Sequence, residues 1–235
     1  MTSKKYIEKS KQVNPEKSYV IKDAVQLLKS CLWAKFDETV DLAIKLGVDL
    51  KKIGGSVRGT LVLPFGTGKE KKVAAITSDA LVKDAEKAGA CAAGSNDLIE
   101  KIKNGFFDFD VLLATPDMMP QIGKLGRVLG SKGLMPNPKS GTVTPDIVQA
   151  IKEFKKGKIE FKAEKGGVIH IAIGKASFDE NKIYENLIAV LKAIYAVKPS
   201  GIKGEFMKSF SISSTMGPGI KLDKEQIKEM LEAGK

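Results

Sequence analysis

The period of the apolar residues changes twice along this chain, and that change decides how it can fold. Between residues 39 and 46, Val40, Leu42, Ile44 and Leu46 alternate with Asp41, Ala43 and Lys45. Period two marks a strand with one buried and one open face. From residue 73 the texture differs. VAAIT (73–77) and FDVLLA (109–114) are largely apolar runs, with helical patterns at 79–88 and 96–104 and a small strand at 90–94 between them. Strands buried on both faces and alternating with helices make a small parallel sheet. After residue 158 period two returns. Ile159, Phe161 and Ala163 alternate with Glu160 and Lys162, and Ile169, Ile171 and Ile173 oppose Val168, His170 and Ala172. The expected class is therefore α/β: an α+β terminal domain carrying an inserted Rossmann-like α/β domain. The terminal domain takes residues 1–67 and 159–235, and the insert takes 68–158. Gly66, Gly68 and Gly157 lie at the two crossings and form the expected hinge.

The remaining elements follow the same reading. Helices are expected at 22–33 and 181–196, and a strand at 57–63 that ends before Pro64. A further strand over 207–214 is read as placing Phe210 and Ile212 on alternate sides of Lys208. Asp223 with Gln226 is read as a capping box opening a terminal helix. Residues 116–145 hold five prolines and five glycines and are read as a long irregular loop. Loops of that length are uncommon without a use. Pro145 is read as the first residue of a helix reaching about Lys155.

Charge narrows the function. Lys and Arg number 39 against 28 Asp and Glu, a net charge of +11. A surplus of that size suits a polyanion. Cys31 and Cys91 are far apart, and His170 is the single histidine. A disulfide framework and a Cys-based or His-rich metal site lack their residues, and only His170 could be the base of a Ser or Cys triad. No run approaches 18 apolar residues, and no apolar stretch follows the basic first residues. A cytoplasmic protein without a membrane span or a metal site is expected.

Individual motifs sharpen this. Gly66-Thr67-Gly68-Lys69 resembles a phosphate loop, but Leu63 and Glu70 occupy positions where the motif needs Gly and Ser or Thr. VAAIT runs into Ser78-Asp79 without the glycines that let a backbone approach a pyrophosphate. Lys124, Arg127, Lys132 and Lys139 are spread among glycines and prolines, an arrangement that matches cations to phosphates. Phe36 beside Lys35 either packs in the core or lies against a ribose or base. Ser211, Ser213, Ser214 and Thr215 end a strand with hydroxyls before Met216-Gly217, a set suited to phosphates and 2′-hydroxyls. Aromatic residues are only 6% of the chain. A base-stacking sheet is thereby disfavoured, and a duplex read by shape fits better. Two other readings stay open: an enzyme acting on a nucleotide or sugar phosphate in the insert, and a nonspecific nucleic-acid chaperone.

Four strings carry a family. VRGTLVLPFGTGK (57–69), ATPDMMPQIGKLGRVLGSKGLMPNPKSGTVTPD (114–146), GKIEFKAEKGGVIHIAIGKASF (157–178) and SSTMGPG (213–219) resemble the large-subunit ribosomal protein family L-one, the ribosomal stalk proteins, in its bacterial and organellar branch. The resemblance covers nearly the whole chain. It implies two domains, one built from both chain ends, and no cofactor. It implies binding to the large-subunit rRNA at the stalk junction beside the tRNA exit site. It also implies a link to release of deacylated exit-site tRNA, and repression of the protein's own operon mRNA. Off the ribosome a monomer is expected. Carried over by motif, the RNA-contacting positions are Lys35, Phe36, Glu38, Thr39, Glu160, Phe161, Lys162, His170, Ser211, Thr215, Met216 and Gly217. Glu38 and Glu160 are expected to accept hydrogen bonds from 2′-hydroxyls or base amines. A weaker second contact is expected at Lys124, Arg127, Lys132 and Lys139. Phe65 stands where relatives carry His, and Ser131-Lys132 where Pro-Arg is common. Lys132 keeps the charge but lacks the guanidinium fork.

Overall fold

A computed structural model describes residues 4–47, 57–164, 166–198 and 205–233. The chain divides into two compact units. One takes residues 1–68 and 160–235, the other residues 69–159.

In the first unit, β1 (Thr39–Leu46), β7 (Val168–Lys175), β8 (Met207–Ser214) and β9 (Ile220–Lys221) form an antiparallel sheet in the order β7-β1-β8-β9. Val40, Leu42, Ile44, Ile169, Ile171, Ile173, Phe210 and Ile212 are all buried on one face. The Ile21–Ser30, Glu180–Ala196 and Lys224–Ala233 helices pack there. Leu187, Val190, Leu191 and Ile194 bring the apolar stripe of the longest helix onto the sheet. β2 (Arg58–Val62) and β6 (Lys158–Lys162) pair as a separate two-stranded ladder.

Phe210 and Ile212 are on the same buried face, and Lys208 is the residue out of step. Lys45 pairs with Ser209 and Leu46 with Met207, so Lys208 is an extra residue in a bulge. The bulge turns Lys208 outward although its parity matches Phe210. The expected capping box is also replaced. Asp223 Oδ1 accepts from Glu225 N at 2.9 Å, while Gln226 Oε1 accepts from Ile21 N at 3.1 Å. Gln226 thus caps the Ile21–Ser30 helix instead of its own.

One buried polar residue ties this unit together. Asn186, fully buried on the long helix, accepts from Phe65 N at 3.1 Å. Its amide donates to Gly66 O at 3.0 Å and Ile173 O at 2.8 Å. The glycine-rich bend after β2 is therefore clamped to β7. Asn186→Ala orphans three backbone groups and is expected to lower stability by about 3 kcal/mol. Chemical denaturation checks it; a loss under about 1 kcal/mol contradicts the clamp.

In the second unit, β3 (Val73–Ile76), β4 (Ala92–Gly94) and β5 (Val111–Ala114) form a parallel sheet in the order β4-β3-β5. Every residue of β3 is buried. Helices cover both faces. Ala85, Ile147, Ile151 and Phe154 close one, and Leu98, Ile102, Ile122 and Leu129 close the other.

Residues 116–145 are not an irregular loop. They form 3-10 turns at Pro116–Met118 and Pro138–Ser140 and short helices at Met119–Gly123 and Gly126–Ser131. Met118, Ile122, Leu125 and Leu129 recur at helical spacing and are buried. Glycines on the outward side mask that period. Pro145 also lies outside its helix, which runs Ile147–Lys155 with Asp146 as the cap accepting from Gln149 N. At the crossings, Gly66, Gly68 and Gly157 have φ of 64°, 73° and 106°. Those values favour glycine, because a Cβ crowds the backbone there.

Candidate nucleic-acid interface

The sheet of the first unit has one face under helices and one outward face. On the outward face, adjacent strands set residues in rows. Ala172, Asp41 and Ser213 form one row and His170, Ala43 and Ser211 the next. Thr39 and Lys175 stand at one end, and Val168, Lys45 and Ser209 at the other. The centre of this face is Ala, Ser and Asp. Such low side chains let a ligand backbone approach the hydroxyls directly, the kind of contact that positions a phosphate or ribose.

The end near Thr39 is built around Glu38, which is 1% exposed. Its carboxylate accepts from Met216 N at 2.9 Å and Ala34 N at 3.3 Å. Burial alone raises its pKa. Hydrogen bonding from the Met216 amide, the Ser214 hydroxyl and the Ala34 and Trp33 amides together outweighs that and holds the carboxyl below its ordinary value. Thr39 and Thr215 add a second clasp. Thr39 N donates to Thr215 Oγ1 at 3.0 Å, and Thr215 N donates to Thr39 O at 3.1 Å. Asp37 accepts from Ser177 N and Ser177 Oγ. The loop before β1 and the loop after β8 are thus stapled to one carboxylate. Each presents one large apolar side chain to solvent: Phe36 is 57% exposed and Met216 43%. Gly217 is tight by necessity, since a Cβ there lies 2.5 Å from Ser214 Oγ.

The structure sorts the sequence-derived residues. Lys35, Phe36, Thr39, His170, Ser211, Thr215, Met216 and Gly217 gather on the outward face or at its Thr39 end. Glu38 and Phe161 are corrected. Glu38 is buried with both oxygens accepting backbone amides, so its place is to position the loops and not to face a ligand on the open surface. Phe161 is 1% exposed and lies under Gly59, where a Cβ would sit 2.7 Å from its ring. Glu160 is exposed and pairs with Arg58, Nε to Oε1 3.5 Å. Lys162 is exposed on the β2–β6 ladder and not on His170's sheet. His170 has Ala43 as its partner across the sheet. In the second unit, Lys124, Arg127, Lys132 and Lys139 are all exposed. The Lys132 ammonium sits 4.1 Å from the Phe107 ring centroid, a cation–π contact.

Two residues of the face escaped the sequence reading. Lys175 Nζ donates to Thr39 Oγ1 at 3.0 Å. Asp41 is half-buried at the centre of the face. Burial raises its pKa, and the charges of His170 and Lys175 only partly offset this. The outward parity of Thr39, Asp41 and Ala43 was the available signal. A carboxyl whose folded pKa is raised costs stability once ionised, so Asp41's contribution declines as pH rises through that value. Asp41→Asn is therefore expected to raise the melting temperature at pH 7 slightly and flatten its dependence as pH rises above about 4. The same change removes a charged acceptor and is expected to weaken RNA binding about 10-fold. Thermal melts and titrations on one preparation check both; a fall in melting temperature contradicts the burial argument.

The class of protein that fits is a two-unit, basic chain with an open sheet face of small polar side chains, suited to a nucleic acid. Residues 27–218, well over half of the chain, match the model of the Ribosomal protein L1p/L10e family. The chain belongs to that family. It is accordingly a structural RNA-binding protein of the large ribosomal subunit, not an enzyme, and its place is the cytoplasmic ribosome.

Proposed function

We propose that the first unit binds the rRNA stalk junction beside the tRNA exit site through the outward face of β7-β1-β8. In this reading the protein also assists release of deacylated tRNA and represses its own operon mRNA by gripping a similar RNA fold. The observation that carries the reading is the Glu38 staple, which sets Phe36 and Met216 at one end of a face of small polar side chains. Hydroxyls and Asp41 suit 2′-hydroxyls, and the two apolar tips suit sugars or bases. Lys35, Lys175 and Lys45 supply phosphate contacts. Glu160 and Lys162 are proposed as outlying contacts on the β2–β6 ladder. Lys124, Arg127, Lys132 and Lys139 are the proposed weaker contact of the second unit, and Gly66, Gly68 and Gly157 the proposed hinge.

One site serving two RNAs makes a direct test. The junction RNA and the leader of the protein's own mRNA are expected to compete, and Met216→Ala to weaken both by a similar factor. Simultaneous binding of both RNAs, or a variant that weakens only one, contradicts the shared site.

A further inference from the structure

The two outer edges of the second unit's sheet are treated differently. β5 is covered by the chain itself. Ala114 bridges Val143 in parallel, with Ala114 N donating to Thr142 O at 2.9 Å and Thr144 N to Ala114 O at 3.1 Å. β4 has β3 as its ladder partner and no other strand on its outer side among the described residues. Open edges are usually guarded by a lysine, a proline or a bulge, because unpaired backbone recruits other chains. β4 reads Ala92-Ala93-Gly94 and carries none of these. All three residues are partly exposed.

A groove of about 560 Å³ runs along this edge. The Asp79–Lys87 helix forms one wall and the Asn96–Lys103 helix, with Phe106, the other. Val82, Leu98 and Phe106 give it apolar lining between the charged rims. A side chain at position 94 would meet Leu98 Cβ at 3.0 Å, so glycine lets the Asn96–Lys103 helix pack closely on β4. A docking strand would approach in the plane of the sheet, about 4.8 Å from β4.

Charge selects the occupant. On a chain of net charge +11, the groove carries Asp79, Glu86 and Asp97 against Lys83 and Lys101. Its lining charges sum to −1, opposite in sign to the chain as a whole. We propose that this edge is a docking site for an extended, basic segment of a partner protein, which adds a strand beside β4. The backbone of β4 supplies the hydrogen bonds, Val82, Leu98 and Phe106 take apolar side chains, and the acidic rim takes the cations.

The test uses the full-length chain labelled with nitrogen-15 and a capped eight-residue peptide of alternating valine and lysine. The expected result is saturable shift changes centred on Ala92, Ala93 and Gly94, and slowed amide exchange there. The double variant Glu86→Lys with Asp97→Lys lies on exposed helix positions and is expected to melt as the parent does while weakening the peptide at least about 10-fold. No change at residues 92–94 at millimolar peptide overturns the proposal. So does equal binding by the reversed-charge variant. A valine–glutamate peptide that binds as well removes the charge argument and overturns the choice of a basic partner. Concentration-dependent shifts at residues 92–94 without any peptide assign the edge to a second copy of this chain and overturn it too. None of these outcomes depends on the rRNA site of the first unit.

Discussion

Glu38→Ala is expected to cost about 3 kcal/mol of stability and to weaken RNA binding about 30-fold, although the residue is buried. The carboxylate holds Met216 N and Ala34 N, and these bonds join the loops on either side of the face. Removing it leaves two part-buried amides without this partner and frees both loops, so Phe36 and Met216 lose their fixed positions. Glu38→Gln keeps the shape but replaces one acceptor oxygen by a donor, and an intermediate loss is expected. The pH dependence has a definite sign. A carboxyl with a lowered folded pKa contributes stability above its unfolded value, about 4.3, and that contribution fades as pH falls through the folded value. The difference between parent and variant should therefore be largest above about pH 5 and shrink in acid. Denaturation at pH 7 and pH 3 measures it. A difference that stays constant across that range contradicts the staple.

Phe36→Ala and Met216→Ala are expected to do the opposite. Both side chains are exposed, at 57% and 43%, so the melting temperature should move little. Each should weaken RNA binding by about 1–3 kcal/mol, or about 5- to 150-fold. The loss should persist at high salt, because packing on a sugar or base releases no counterions. Lys35→Ala, a phosphate contact in this account, should instead reduce the salt dependence of binding. Titration at two ionic strengths separates the classes. Normal affinity of either folded apolar variant removes that end of the face from the interface.

Much of the fold was legible because local period and tertiary burial agree. β1 alternates over its whole length, and its even-numbered residues are the buried ones. β3 is apolar throughout and buried throughout. The failures have physical causes. The helices at 119–131 were hidden because outward glycines dilute the period that Met118, Ile122, Leu125 and Leu129 keep. Lys208 was misassigned because a bulge shifts parity without any mark in the sequence. Gln226 was given to its own helix, since a partner 205 positions away in the chain has no local signal.

The site divides in the same way. Exposed members such as Met216 and Ser211 could be named from motif and strand register. Glu38 and Phe161 sit beside them in sequence, yet the fold turns them inward. Their types alone suggested contact with RNA, and only burial separates a residue that touches a ligand from one that holds the residues that do. Asp41 was the reverse case, an outward carboxylate that parity could have placed.

The central claim is that a preformed face reads one RNA shape. The decisive measurement is a titration of the full chain against the stalk-junction rRNA and a scrambled duplex of equal length, each at low and high salt. The account predicts a large preference for the junction that survives at high salt. Equal affinities that fall together as salt rises would contradict it, and would leave a basic surface that binds any phosphate backbone.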